Sequence, residues 1–121
     1  MLRRHLPPMM DFDLRSLIHL MLHAVVPLAV AVTFFPKRWR SAYLWMLAGW
    51  LIDIDHLWAD PIYVPDRCSI GFHFLHRPPA ILLYALLLMP RRTRLVAMGL
   101  MTHIGLDALD CVWMHVDEGS P

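Results

Sequence analysis

His19 and His23, Asp53 and His56, His73 and His76, and His103 and Asp107 recur along the chain as pairs three or four residues apart. Mixed imidazole and carboxylate sets suit Zn²⁺ first, with Mn²⁺ or Fe²⁺ as alternatives, rather than a calcium or thiolate site. At about 100° per helical residue, His19 and His23 lie about 40° apart and share a face. His103, Asp107 and Asp110 fall within about 60°, and Asp53 and His56 are about 60° apart. Asp55 lies about 160° from Asp53 in a regular helix, so the two converge only where the helix is ending. Asp53 and His56 are therefore expected as ligands, with Asp55 behind them.

Four apolar segments must position these groups: 16–35, 41–58, 78–89 and 94–116. The chain has 121 residues, is 58% hydrophobic and carries a net charge of +1, which gives room for a single domain over 1–121. Twenty residues of helix reach about 30 Å, enough to cross the hydrocarbon core of a bilayer. The expected fold class is all-α, a polytopic membrane protein with four transmembrane helices in a bundle. Pro27 is expected to kink the first helix, and Pro78 and Pro79 suit a helix start. The first segment lacks a small-residue cleavage site and reads as retained rather than as a signal peptide. Met9 and Met10 are alternative starts. The basic residues are few and clustered, with no aromatics interleaved, so nucleic acid is not an expected partner. The all-positive turns at 36–40 and 90–94 are expected on the cytoplasmic side, with both termini and the 59–77 loop opposite. Trp39 and Tyr43 would then mark the inner interface, and Trp58, Tyr63 and Trp113 the outer one.

That topology brings His19, His23, Asp53, His56, His73, His76, His103 and Asp107 to one leaflet. A carboxylate at mid-membrane costs about 2.5–3.5 kcal/mol even on lenient insertion scales. No span has an arginine in its interior, so internal salt bridges are not expected to offset that cost. Bound cations would, and so many candidate ligands suit two ions bridged by carboxylate. His5 and His115 lie near the boundaries, where no role is expected. Cys68 and Cys111 both fall on the outer side and would form a disulfide in an oxidising compartment, the alternative being two buried thiols.

The histidine on the first helix, "DIDH" at 53–56, "HFLH" at 73–76 and "HIGLD" at 103–107 resemble the membrane-bound metal-dependent hydrolases. This bacterial inner-membrane family is itself distantly similar to zinc-dependent phospholipase C. The resemblance spans about 15–116, closest to a small four-helix branch. Only Phe74 and Leu75 separate His73 from His76, a shorter spacing than the larger family uses. The resemblance implies metal binding by His23, Asp53, His56, His73, His76, His103 and Asp107; His19, Asp55 and Asp110 are added from position. It also implies residence in the bacterial inner membrane, where the loop charges put the metal site on the periplasmic side.

The expected function is hydrolysis of a phosphoester of a lipid or lipid-linked substrate by metal-activated water at the outer leaflet. Asp110 or Asp55 would accept the proton, and Arg67 and Arg77 would hold the phosphate. Membrane lipids are the expected partners, and four short helices leave a homodimer open. Two other classes remain. "HLMLH" and "HFLH" have a superficial likeness to the boxes of di-iron lipid hydroxylases and desaturases, although no His-His doublet occurs. The alternative to both is a non-catalytic metal-binding, ion-conducting or scaffolding membrane protein, or a haem held between His23 and His103.

Overall fold

The structure is a computed structural model that describes residues 14–60 and 67–118, without the side chains of 117 and 118. The expectations for His5, Met9, Met10 and Tyr63 lie outside the described residues. Among the described residues there are four α-helices, α1 (Leu14–Phe34), α2 (Trp39–Leu47), α3 (Pro78–Leu86) and α4 (Arg94–Glu118). They are joined by 3-10 helices at Pro36–Arg38, Ala48–Trp58 and Phe74–His76, and no strand occurs among the described residues.

Among the described residues only α1 and α4 are long and apolar enough to cross a membrane. The four-span expectation is thus met in part: the fold is all-helical with four α-helices, but two of them are candidate spans. Physical reasons for the difference lie in the other two segments. α3 has nine residues, about 14 Å of helix. In the second segment α-helical winding stops at Leu47, and the chain continues as an eleven-residue 3-10 helix.

The 3-10 run explains how the 48–58 segment divides its side chains. Residues three apart eclipse in this winding. Gly49, Ile52 and Asp55 form a buried row, Trp50, Asp53 and His56 a half-buried row, and Leu51, Ile54 and Leu57 an exposed row. Such helices rarely exceed three or four residues, because their hydrogen-bond geometry is poorer. This one is held by its packing on α4. An added Cβ on Gly49 would lie 2.6 Å from the Gly99 carbonyl carbon, and one on Gly99 would lie 2.0 Å from the Met46 carbonyl oxygen. The two backbones touch there, and only glycine permits it.

On one side of this crossing, Ala31, Ala42 and Met46 pack with Phe35, Leu95 and Met98. The chain reversals at 35–38 and 87–93 therefore share an end of the molecule. They carry Lys37, Arg38, Arg40, Arg91, Arg92 and Arg94, all exposed. Arg94 caps its turn by donating to the carbonyls of Leu88 and Met89. A second cluster, Ile52, Tyr84, Leu100 and Ile104, fixes α3 against α4 and the 3-10 helix. Pro27 sits inside α1, where its ring removes a helix hydrogen bond. The Tyr43 hydroxyl of α2 donates to the Ala24 carbonyl in the same turn, at 2.9 Å, which ties the two helices at the interruption.

Candidate metal centre

The polar side chains gather at the end opposite the basic turns. α1 supplies His19 and His23 one turn apart. The half-buried row of the 3-10 helix supplies Asp53 and His56, the Phe74–His76 turn supplies His76, and α4 supplies His103 and Asp107.

His76 Nε2, His103 Nε2, Asp53 Oδ1 and Asp107 Oδ2 surround one point. His76 Nε2 lies 3.3 Å from Asp53 Oδ1, 3.1 Å from Asp107 Oδ2 and 3.2 Å from His103 Nε2. His103 Nε2 lies 3.1 Å from Asp53 Oδ1 and 3.2 Å from Asp107 Oδ2. A tetrahedral ion with bonds of 2.0–2.2 Å has ligand–ligand edges of about 3.3–3.6 Å. Five of the six edges are thus within a few tenths of an ångström of the size such an ion requires.

Asp107 turns its other oxygen to a second set. Its Oδ1 lies 3.1 Å from His19 Nε2 and 3.3 Å from His23 Nε2. One carboxylate therefore stands between two groups of ligand atoms. In each group the possible donors lie within 4.8 Å of one another. His23 Nε2 and Asp107 Oδ2 are buried and make no hydrogen bond, although each faces the shared centres. Buried polar atoms of this kind call for a partner, and a bound cation could supply one.

The outer nitrogens of His76 and His23 are held by neighbouring groups, whereas His103 Nδ1 is buried without a hydrogen-bond partner. His76 Nδ1 donates to Asp55 Oδ2 at 2.8 Å, and His23 Nδ1 donates to the His19 carbonyl at 2.8 Å. Each bond fixes a proton on Nδ1, so that once Nε2 is deprotonated its lone pair faces inward, the tautomer a metal ligand needs. Asp55 also accepts from the Leu75 amide at 2.8 Å and from His56 Nδ1 at 3.1 Å. Tyr84 donates to the Leu75 carbonyl at 2.9 Å and so fixes the same turn from α3.

A third group, Asp55, His56 and His73, adjoins these two. The rings of His56 and His73 stack at 3.7 Å between centroids. Burial, then the neighbouring His56, pull the His73 pKa down to about 4. His76 behaves oppositely. Burial works against its charge, but hydrogen bonding to Asp107, Asp53 and Asp55 overrides it and lifts the pKa to about 10. A proton held that firmly reports the preference of the surrounding carboxylates for positive charge.

A cavity of about 130 Å³ opens beside the ligands, lined by His19, Asp53, His56, His73, Asp107 and Asp110 together with Arg67, Ser69, Leu20 and Met114. Cys68 and Cys111 are bonded, with their Cα atoms 5.2 Å apart, which ties the segment entering the histidine turn to α4.

The eight expected ligands thus meet in three adjoining groups. Other residues stand differently from expectation. Asp55 is 2% exposed and its oxygens are occupied by His56, His76 and Leu75, so it is placed to orient a ligand rather than to accept a proton in the cavity. Arg15, one residue outside the segment read as a span, belongs to α1, and its Nε lies 3.7 Å from Asp110 Oδ1 with both side chains largely buried. An internal ion pair is therefore present where none was expected, and Asp110 is part of it. Arg77 does not line the cavity; it belongs to a separate groove with Trp58, Phe72 and Phe74. Trp50, stacked on His23 at 5.6 Å, gave no signal in the sequence beyond its place three residues before Asp53.

Residues 13–114 match a family of unknown function, DUF6122, and the chain belongs to that family. No curated protein and no solved structure matches it.

Proposed function

We propose that this DUF6122 protein is a membrane-embedded hydrolase that holds two divalent cations, zinc foremost, and cleaves a phosphoester of a lipid or lipid-linked substrate. The observation that carries this reading is Asp107, which offers one oxygen to His76 and His103 and the other to His19 and His23. Carboxylate-bridged ions about 3.5–4 Å apart are the arrangement that serves phosphoryl transfer and hydrolysis.

The two ligand groups differ in a way that suits catalysis. Asp53, His76, His103 and Asp107 form a closed set of four. His19, His23 and Asp107 supply only three ligands, the pattern of a site that keeps a position for water or substrate, and both groups reach the cavity, one through Asp53 and Asp107 and the other through His19 and Asp107. Ions bound there would bring a coordinated water's pKa toward neutrality and offset charge on the phosphoryl group. Of the two acids considered as proton acceptors, Asp110 lines the cavity and Asp55 orients His76, so the role falls to Asp110. Of the two arginines, Arg67 borders the cavity, 4.4 Å from the Phe72 ring centroid.

Membrane residence is supported by the inverted distribution of side chains. Leu17, Met21, Val25, Leu51, Ile54 and Leu109 are exposed, while His23, Asp55, His76, His103 and Asp107 are buried. Apolar surface outside and ionisable groups within is the arrangement a lipid solvent favours. The separated basic turns favour a cytoplasmic position for their end and a periplasmic one for the ligands. The Cys68–Cys111 bond suits that oxidising side.

The test is elemental analysis of protein purified without chelators, paired with phosphate release from a panel of lipid and short-chain phosphoesters. About two zinc equivalents per chain and metal-dependent release are expected. Metal-free wild type, or fully loaded protein inert on every phosphoester, would overturn the reading. Iron with an oxygen-sensitive optical band would instead favour the oxidative alternative.

A further inference from the structure

The end of the molecule opposite the metal centre carries charge of one sign. Lys37, Arg38 and Arg40 of one chain reversal and Arg91, Arg92 and Arg94 of the other are all exposed there. The described acids, Asp53, Asp55, Asp60, Asp107 and Asp110, lie in or beside the metal centre. No aspartate or glutamate occurs between Leu14 and Ile52 or between Arg77 and Leu106. Six cations thus share one end, and no described acid accompanies them. Two of them lie over aromatic rings, Arg38 at 5.4 Å from the Phe35 centroid and Arg40 at 5.3 Å from the Trp39 centroid.

An apolar groove begins at this charged end. Ser41, Leu44 and Trp45 of α2 and Ala48 just after it recur at the three- and four-residue spacing of one helix face, and they line an open groove of about 510 Å³. Ala42 and Met46, on the other face, are buried with Ala31 and packed by Leu95 and Met98, so the groove faces away from the bundle. Leu44 is 68% exposed and Trp45 56%. Arg40 stands one helical turn before Leu44 and so heads the same face. From Arg40 to Ala48 the chain runs about 12 Å along the helix axis.

Bulk hydrocarbon meets every exposed apolar face of a membrane protein, but a groove headed by fixed positive charge matches a molecule with an anionic phosphate above a chain. We infer that this face binds one anionic phospholipid, its phosphate among Lys37, Arg38 and Arg40 and an acyl chain along Leu44, Trp45 and Ala48. Each Lys or Arg near the headgroups favours an anionic lipid about 5-fold, whereas a zwitterionic lipid brings a cation of its own that the basic groups repel. A second copy on this face would share the membrane orientation, so two basic ends would lie side by side and like charges would oppose the contact. The inference rests on membrane residence and not on the hydrolase reading, and the groove shares no residue with the metal centre.

The experiment uses the full chain in phosphatidylcholine vesicles doped with phosphatidylglycerol whose acyl chain bears a diazirine, with the same chain on phosphatidylcholine as the comparison probe. After illumination, labelled peptides are mapped by mass spectrometry. Label concentrated on 41–48, about 5-fold or more above the phosphatidylcholine probe, is the expected result. Arg38→Gln with Arg40→Gln should abolish that excess, whereas Arg38→Lys with Arg40→Lys should keep it. Helix content by circular dichroism should stay at the wild-type level in both double variants, which separates lost lipid binding from misfolding. Equal labelling by the two probes, or an excess that survives in the neutral variant, overturns the inference. An excess spread evenly over 28–35, 41–48 and 82–89, the pattern of diffuse attraction to the charged end, overturns it too, as does a face left unlabelled by both probes because a second copy covers it. No metal enters the measurement, so its failure leaves the hydrolase reading untouched.

Discussion

Asp55 Oδ2 accepts the Nδ1 proton of His76 at 2.8 Å, and from the opposite edge of that ring Nε2 faces Asp53, Asp107 and His103. One carboxylate outside the cluster thereby fixes both the tautomer and the direction of a ligand inside it. The same carboxylate accepts from the Leu75 amide, so ring and backbone are set together. The 3-10 winding of 48–58 makes this possible, because it puts Asp55 on the buried row while Asp53 stands on the neighbouring one.

Replacing Asp55 should consequently weaken metal binding without removing a ligand. Asp55→Asn keeps an acceptor for the Nδ1 proton but no charge, and a loss of about 10-fold in affinity is expected; Asp55→Ala leaves the ring unsupported, and about 100-fold is expected. Competition with a fluorescent chelator measures both. Equal affinity in Asp55→Ala and wild type would show that the hydrogen bond does not orient the ligand.

Asp107 differs because it belongs to both groups. Asp107→Ala should remove both ions, whereas His23→Ala, which touches only the His19, His23 and Asp107 group, should remove one. Stoichiometry by elemental analysis after gel filtration decides between them. Loss of a single equivalent in Asp107→Ala would rule out the bridge.

How much of this could be read beforehand depended on how regular the backbone is. His19 with His23 and His103 with Asp107 were legible because α-helical winding converts a spacing of four into a shared face, and both pairs lie in helices that keep that winding. The 48–58 run was legible as apolar and helical, but a greasy stretch reads alike in α and 3-10 form, so the row containing Asp55 did not emerge. Arg15 and Asp110 are far apart in sequence, and nothing in either segment signals that α1 and α4 pack so that they meet. Arg67 and Arg77 both flank the histidine turn, yet the irregular backbone between them sends them to different surfaces. The 78–89 segment is short for a span in the sequence already, and its helix ends earlier still, at Leu86, four residues before Pro90.

Proton competition gives the pH dependence. In the metal-free chain His76 has its pKa raised from 6.5 to about 10. The stabilisation from its charged form is fully present below about 6.5 and is lost as pH rises through about 10. A metal ion must displace this proton, so affinity should rise with pH across that interval, and binding near neutrality should release a proton. Calorimetry in two buffers of different ionisation enthalpy reads the number released. No proton release at pH 7 would contradict the assignment of His76 as a ligand.

The crossing of Gly49 and Gly99 sets the depth at which α4 presents its ligands. A Cβ on Gly99 would meet the Met46 carbonyl oxygen at 2.0 Å, backbone that cannot rotate away. Gly99→Ala should therefore cost about 1–3 kcal/mol through overpacking and should lower metal affinity by shifting His103 and Asp107 against Asp53. Gly105 lies on the same helix with nothing within 4 Å of an added Cβ. Gly105→Ala should be neutral or stabilising by about 0.5–1 kcal/mol, since alanine is the better helix former. Denaturation in mixed micelles compares the two, and equal effects would mean that the close crossing plays no part.

Reduction of the disulfide should separate the two halves of the histidine loop. The bond closes a sequence separation of 43 residues, for which chain entropy alone gives about 4 kcal/mol of stabilisation. His76 has independent anchors, because Asp55 holds its ring and the Leu75 amide while Tyr84 holds the Leu75 carbonyl. Arg67, Ser69 and His73, which line the cavity, lie nearer Cys68. The Cys68→Ser, Cys111→Ser double variant should therefore unfold at lower temperature yet keep both metal equivalents at room temperature. Its affinity for inorganic phosphate should fall, because the cavity wall is freed while the ligands stay in place. Loss of metal in parallel with loss of phosphate binding would instead place the disulfide among the supports of the metal ligands themselves.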